Sequence, residues 1–501
     1  MSIVAYCCTV LMVFIESLNT KGQKMKNALH NIVLASSCLI SSLAYSQTAP
    51  PTIADEVALF VSSKQINARP YTIKHAGAEF IKVHFKKLDL PKGAKIKLTS
   101  ADGLESIEYT QSQKAWFAQS IFGDEVTVKL IPNKKGEKGH YEIDYFTAGS
   151  DTILDDFASF STCGENERRD VACWQDSHPE KVAWSQPVAR LLINGRGLCT
   201  AWRVGPDNKM FTNNHCVESQ SELSNTEVWF NYQRSSCNGS MSTTVKVMGN
   251  ELLSTDYTLD YTLFTVHDFE KIASFGYLGL DASEPVFGNG IYIPQHGSGN
   301  PKELSIESDK NGSGMCQIDV ASTGGRGSET DTGYFCDTIG GSSGSPVLNT
   351  SNNKAIALHH FGGCENQGVK ISKIWPEVAS FFDNNLPDGN VNSPTPGPGL
   401  PELEVDVPVA DLQLSRLETA MYVVKAANRN APIKITISSG TGDADLYVRS
   451  GSEPTTSTYD CRPYKSGNNE TCSVPAKNED LYVMVRAYSS FSGVTLMAKQ
   501  Q

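Results

Sequence analysis

The chain has 501 residues and a net charge of −12, with a pI near 5.4; that acidity argues against nucleic acid or an anionic membrane surface as a main partner. Hydrophobic residues make up 40% and charged residues 20%, an ordinary soluble globular balance. The length excludes a single core and asks for two to four domains.

Residues 1–46 read as a signal region. Met1 to Phe14 is apolar but lacks a basic start, whereas Met25-Lys26-Asn27 opens a second apolar run that ends at Ala44-Tyr45-Ser46. That pattern fits a secretory signal with small residues at the cleavage positions. We place translation start at Met25 and cleavage near Ser46, an extended signal from Met1 being the alternative. No later run approaches the ~20 apolar residues of a membrane helix, so no membrane association is expected once the signal is removed. Of thirteen cysteines, Cys7, Cys8 and Cys38 fall in this region. The other ten are an even number with no CxxC pair, which favours disulfides over a metal site and an extracellular or periplasmic location.

Residues 47–158 alternate apolar and polar positions in short runs, among them Ile81, Val83 and Phe85, Val126, Val128 and Leu130, and Tyr141, Ile143 and Tyr145. Turn clusters separate the runs, so a β-sandwich is expected. Residues 159–385 hold eight of the ten remaining cysteines and many short strand signals. Near their end Ile371, Ile374, Trp375, Val378 and Phe382 recur at helical spacing, with Pro376 expected in the first turn. Residues 386–401, LPDGNVNSPTPGPGLP, are a Pro/Gly-rich linker. Residues 402–501 are again β-patterned, with Cys461 and Cys472 positioned to staple a loop.

Three motifs carry chemistry. Gly340-Gly341-Ser342-Ser343-Gly344-Ser345-Pro346 is a tight loop of small residues in which Ser343 is a candidate nucleophile. The amides of Gly341 and Ser343 could converge on one point as an oxyanion hole. Upstream, His215 lies in Thr212-Asn213-Asn214-His215-Cys216, and a Cys199–Cys216 disulfide would fix it on a rigid base. Between the two, Asp260 enters the apolar run Tyr261-Thr262-Leu263-Phe264, where its charge needs a partner. His215 is the obvious one, and Asp256 is the competitor for the same role. Asp260 would hold the imidazole while His215 deprotonates Ser343. The order His–Asp–Ser differs from the Ser–Asp–His order of α/β-hydrolases.

These motifs resemble the bacterial branch of the chymotrypsin-like serine proteases, especially lysyl endopeptidases, as do Trp229-Phe230-Asn231-Tyr232 and Leu358-His359-His360-Phe361-Gly362-Gly363-Cys364. The resemblance implies a mainly β chain whose catalytic domain is a double β-barrel, flanked by two β-sandwich domains, with 159–385 as the protease. It implies disulfides Cys163–Cys364, Cys173–Cys237 and Cys199–Cys216, leaving Cys316–Cys336, and sets the backbone of His360, Phe361 and Gly362 beside the substrate. Residues 402–501 resemble the bacterial pre-peptidase C-terminal domain. There Asp443 and Asp445 could ligate calcium, a turn-stabilising role being the alternative; no metal and no cofactor are expected.

One departure concerns activation. Animal trypsins carry an aspartate before the nucleophile that pairs with a freshly cut N-terminus; here Ser342 stands there. Latency would have to come from residues 47–158 covering the cleft. Asp337 lies six residues before Ser343, the spacing of the aspartate at the base of the trypsin pocket. It predicts cleavage after Arg or Lys, with Gly362, Gly363 and Gly368 leaving room for the long side chain. The expected function is thus a secreted, monomeric serine endopeptidase acting on proteins or peptides. The rivals are a secreted adhesin on a protease-like scaffold and a serine esterase.

Overall fold

The computed structural model describes residues 50–150, 161–391, 401–414, 419–426, 431–451, 454 and 459–500. Residues 1–49, which include the expected signal region, residues 151–160 and most of the linker lie outside the described residues. Strands dominate throughout, as the alternating sequence pattern requires.

Residues 50–150 form two facing sheets. One runs Ala54–Ser62, His140–Gly149, Phe80–Asp89, Gln113–Phe117, and the other Tyr71–Lys74, Glu125–Ile131, Lys95–Ser100, Ser106–Tyr109. Period-two alternation decides which side chains meet between them. Ile81, Val83, Phe85, Ile96, Leu98, Val126 and Val128 are fully enclosed, each contributing about 1.5–3 kcal/mol of burial.

The central module begins with a closed barrel of six strands: Val188–Ile193, Gly197–Arg203, Met210–Thr212, Tyr261–Val266, Val245–Asp256 and Glu227–Phe230. Eight further strands follow in the order Arg169–Asp170, Glu303–Ser305, Ile291–Gln295, Pro346–Asn349, Ala355–Phe361, Asn366–Lys370, Asp331–Tyr334 and Val320–Thr323. One core joins the two halves. Trp202, Phe211 and Leu263 of the barrel pack with Tyr292, Leu348, Leu358 and Val369 of the sheet, and with Ile371, Ile374 and Val378 of the closing helix. That helix, Ile371–Val378, carries Pro376 in its interior and not in its first turn. The next turn tightens to a 3-10 helix at Ala379–Phe382, where the apolar spacing continues.

Disulfides join Cys163–Cys364, Cys173–Cys237, Cys199–Cys216, Cys316–Cys336 and Cys461–Cys472. All ten cysteines beyond the signal region are paired, each bridge worth typically ~2–4 kcal/mol.

In the last module a single strand, Leu481–Gln500, serves both sheets. Its first part pairs with Thr419–Val424 and Asp445–Ser450, and its second with Ile433–Ser438. Asp445 accepts from the Arg462 guanidinium at 3.2 Å and the Tyr447 hydroxyl at 3.4 Å, and Asp443 accepts from the Gly467 amide at 2.8 Å. Asp445 thus has an ion-pair partner in Arg462. No helix among the described residues is long and apolar enough to cross a membrane.

Candidate active site

His215 follows the barrel strand Met210–Thr212, in a turn where the amides of Cys216 and Val217 both donate to the Asn213 carbonyl at 3.2 Å. Asp260 follows the hairpin turn after Val245–Asp256 and takes a left-handed φ of 43°. Its amide donates to the Tyr257 carbonyl, closing that turn. The competing acid, Asp256, accepts from the Leu259 amide at 2.7 Å and so organises the turn itself. Asp260 is completely enclosed. One of its oxygens accepts from the His215 amide at 3.0 Å, and the other lies 2.8 Å from His215 Nδ1. Burial opposes its charge, but the His215 charge and the hydrogen bonds from His215 and His360 outweigh burial and hold the carboxyl well below the usual range.

The same oxygen of Asp260 meets a second imidazole. His360 Nδ1 lies 3.1 Å from Asp260 Oδ2, and its Nε2 lies 2.5 Å from Asp331 Oδ2. All three residues are buried. Burial disfavours the His360 cation, yet the two flanking carboxylates prevail and its pKa is raised. The Arg326 guanidinium stands 3.4 Å from the other Asp260 oxygen. Sequence reasoning placed only the backbone of His360 in the site, and it missed Asp331 and Arg326. Asp331 lies in Thr330-Asp331-Thr332-Gly333-Tyr334, a buried strand, so the argument that selected Asp260 applied there equally.

The loop around Ser343 is held from several sides. Gly341 has a φ of +97°, and a Cβ there would approach the His296 carbonyl to 3.0 Å, so the position requires glycine. Ser342 Oγ accepts from the Ile339 amide at 3.0 Å and donates to Gln295 Oε1 at 2.5 Å, a local network standing where trypsins use an aspartate. Thr200 grips the loop twice: its amide donates to the Ser343 carbonyl at 2.8 Å and its hydroxyl to the Gly341 carbonyl at 3.0 Å. The Ser343 carbonyl also lies 3.9 Å from Cys216 Sγ, which sets the loop beside His215. Among the described residues, neither the Gly341 nor the Ser343 amide donates a hydrogen bond, as an oxyanion site would need.

Asp337 departs from expectation. The pocket argument needed a buried carboxylate without a partner, and Asp337 has two. Its oxygens accept from the amides of Cys163 at 2.7 Å and Glu167 at 2.8 Å. The carboxylate therefore holds the segment leading into the protease module. That segment runs close to the expected substrate edge. The Ser161 carbonyl accepts from the Thr338 amide at 3.1 Å and from Asn366 Nδ2 at 2.9 Å, and a Cβ on Gly362 would fall 1.9 Å from Ser161 Oγ. Gly362 thus makes room for this chain's own Ser161. Phe361 stacks on His360 with ring centroids 3.8 Å apart.

The cluster of Cys199, His215 and Cys216 brings possible metal donors within 4.8 Å of one another. The two sulfurs are bonded to each other and His215 Nδ1 faces Asp260, so these groups do not offer a thiolate ligand set.

Residues 163–371 match the family described as lysyl endopeptidase, C-terminal domain, and residues 418–487 match the bacterial pre-peptidase C-terminal domain. The Neutral protease of Vibrio proteolyticus is 48% identical over 105 residues, 21% of this chain but only 17% of that protein. The inactive form of the Rv3671c protease from M. tuberculosis aligns with 41% of this chain and 94% of its own at 13% identity, with a TM-score of 0.30. The "Secreted RxLR effector protein 73" of Plasmopara viticola is 32% identical over 353 residues, covering 66% of this chain and 85% of that protein. The chain therefore belongs to the family of that Plasmopara viticola protein, with a central module matching the lysyl endopeptidase C-terminal domain and a last module matching the bacterial pre-peptidase C-terminal domain.

Proposed function

We propose that the protein is a secreted serine endopeptidase that cleaves protein or peptide substrates with Ser343, His215 and Asp260. The observation that carries this reading is the 2.8 Å contact between His215 Nδ1 and the buried Asp260 carboxylate, beside a strained glycine loop bearing Ser343. With Nδ1 tied to Asp260, Nε2 is the nitrogen left to act as base. In the reaction Ser343 Oγ attacks the scissile carbonyl as His215 Nε2 takes its proton. The oxyanion is received by the amides of Gly341 and Ser343, and the imidazolium is stabilised by Asp260. His215 then gives that proton to the leaving amine. Water, deprotonated by the same nitrogen, releases the acyl group.

Preference for Arg or Lys does not follow from Asp337 as it stands, because its oxygens hold backbone amides; the specificity of the site is left to the substrate profile itself. The family of the central module, the pre-peptidase match and the paired cysteines all favour secretion.

The test is proteolysis by the purified protein against Ser343→Ala, with folding checked by thermal melting. Activity should fall to a residual of order 10³-fold over the uncatalysed rate, which the oxyanion site and binding alone can sustain. Proteolysis near the parent rate would remove Ser343 from the mechanism.

A further inference from the structure

The N-terminal module is seated on the catalytic barrel through an interior interface. Pro51 to Ile53 pair with the tip of the hairpin formed by Val188–Ile193 and Gly197–Arg203. Thr52 bridges Gly197, the Ile53 amide donates to the Arg196 carbonyl at 2.9 Å, and the Leu198 amide donates to the Pro51 carbonyl at 2.9 Å. The hairpin turn at Gly195, with φ +71°, abuts Thr147 so closely that a Cβ would come within 2.7 Å of its hydroxyl. Ile53, Ala54 and Phe80 of the N-terminal module share one buried cluster with Leu192, Leu198 and Trp229 of the barrel.

At the centre sits Glu227, fully buried. Four donors surround its carboxylate: Lys82 Nζ at 2.5 Å, the Ser120 amide at 2.7 Å, the Ser120 hydroxyl at 2.8 Å and Trp229 Nε1 at 2.8 Å. Only Trp229 belongs to the barrel. Lys246, also of the barrel, reaches back to Glu105 at 2.8 Å and to the Ser120 carbonyl at 3.0 Å. Arg196 and Glu56 face each other at the rim, 3.9 Å apart. Stripping off the N-terminal module would take three of the four donors from Glu227 and would bare Leu198 and Trp229 to water, at a cost in apolar burial.

The gripped hairpin also touches the chemistry. Leu198, Cys199 and Thr200 are consecutive on one strand. Leu198 is tied to Pro51, Cys199 is bonded to the residue after His215, and Thr200 holds the carbonyls of Gly341 and Ser343. A displacement of the hairpin at Leu198 would be felt two residues later by the nucleophile loop.

We propose that the N-terminal module is a permanent positioning subunit of the protease: it stays bound after any cut between the modules, and its docking keeps the Thr200 strand, and through it Ser343, in reactive register. In place of a module expected to cover the cleft, the N-terminal module grips the barrel wall. The positioning half rests on the serine-protease reading above; the docking half does not.

The test uses the full chain with a recognition site for a sequence-specific protease placed within residues 151–160. After cutting, the two pieces should co-elute at micromolar concentration, and a fluorophosphonate should label Ser343 within twofold of the uncut rate. Glu227→Ala in the same chain should let the pieces separate after cutting and lower kcat and the labelling rate at least tenfold. If that variant does not fold, Phe80→Ala, which weakens the contact with Trp229 from the N-terminal side, is read in the same way. Pieces that separate without any interface substitution overturn permanence. Labelling or kcat that holds or rises on separation overturns positioning and makes the module an inhibitor. A parent chain that co-elutes but never labels Ser343 supports docking and sinks both the positioning claim and the triad reading.

Discussion

Two buried carboxylates, Asp260 in the cleft and Glu227 at the module interface, solve the same problem with different partners. Glu227 is matched by a lysine, a second lysine nearby, a hydroxyl and fixed N–H groups. The charges of Lys82 and Lys246 overcome its burial and hold it ionised below the usual carboxylate range. Asp260 is matched chiefly by imidazoles, His215 and His360, with Arg326 behind them. The lysines clamp one module to the other, whereas the imidazoles tie Asp260 to groups within the cleft. The two proposals above rest on this difference: a docked interface that stays, and a cleft that moves a proton.

The largest effect that can sharpen this contrast is Asp260→Asn. The shape survives, but an amide cannot enforce the imidazole tautomer, so kcat should drop by about 10⁴, and the melting temperature should fall as His360 and Arg326 lose a charge partner. A loss below tenfold would mean that another group orients His215.

Next comes Glu227→Ala, whose main effect should be on stability. It leaves Lys82 buried without its partner and should cost about 3–5 kcal/mol of stability in denaturant unfolding of the full chain. Glu227→Ala with unchanged stability would show that the apolar cluster alone holds the modules together.

Asp337→Ala is smaller. The buried Cys163 amide loses its acceptor, at about 1–3 kcal/mol, with the half-buried Glu167 amide free to turn to water, and turnover of Arg, Lys and neutral peptides should change in parallel. A selective loss of Arg and Lys cleavage would return Asp337 to the floor of the specificity pocket.

The smallest effect is in pH. The His360 pKa is raised in the fold, so its contribution is fully present below the unfolded imidazole value and fades as pH rises through the higher folded value. Asp260, with a lowered pKa, contributes above the unfolded carboxyl value and loses that contribution only as strong acid protonates it. Raising the pH above neutrality should therefore lower the parent's melting temperature more than that of His360→Gln. Equal slopes in the two proteins would contradict the assigned charge on His360.

Much of this was legible in the residues. The pairing of His215 with Asp260 over Asp256 followed from one rule, that an acid entering an apolar strand needs a partner. The same rule, applied to Glu227 before Val228-Trp229-Phe230, would have flagged the interface, and applied to Asp331 it would have flagged the His360 relay. What the sequence could not supply was the partner: Lys82 and Glu227 are 145 positions apart, and no periodicity links them. Asp337 misled for the complementary reason. Its spacing from Ser343 invited a pocket reading, while its real partners are backbone amides of Cys163 and Glu167, which carry no side-chain signature. Pro376 was placed in the first turn because proline is tolerated there; strong burial of Ile371, Ile374 and Val378 carries the helix past it.

The central claim is that Ser343 is a nucleophile activated by His215. The most direct measurement is peptide mass spectrometry of the protein after a fluorophosphonate, beside His215→Ala treated in the same way. The account predicts one stoichiometric adduct, on Ser343, in parallel with loss of proteolysis, and no adduct in the variant. An unmodified Ser343 in a protein that still digests substrate, or equal labelling in His215→Ala, would contradict it.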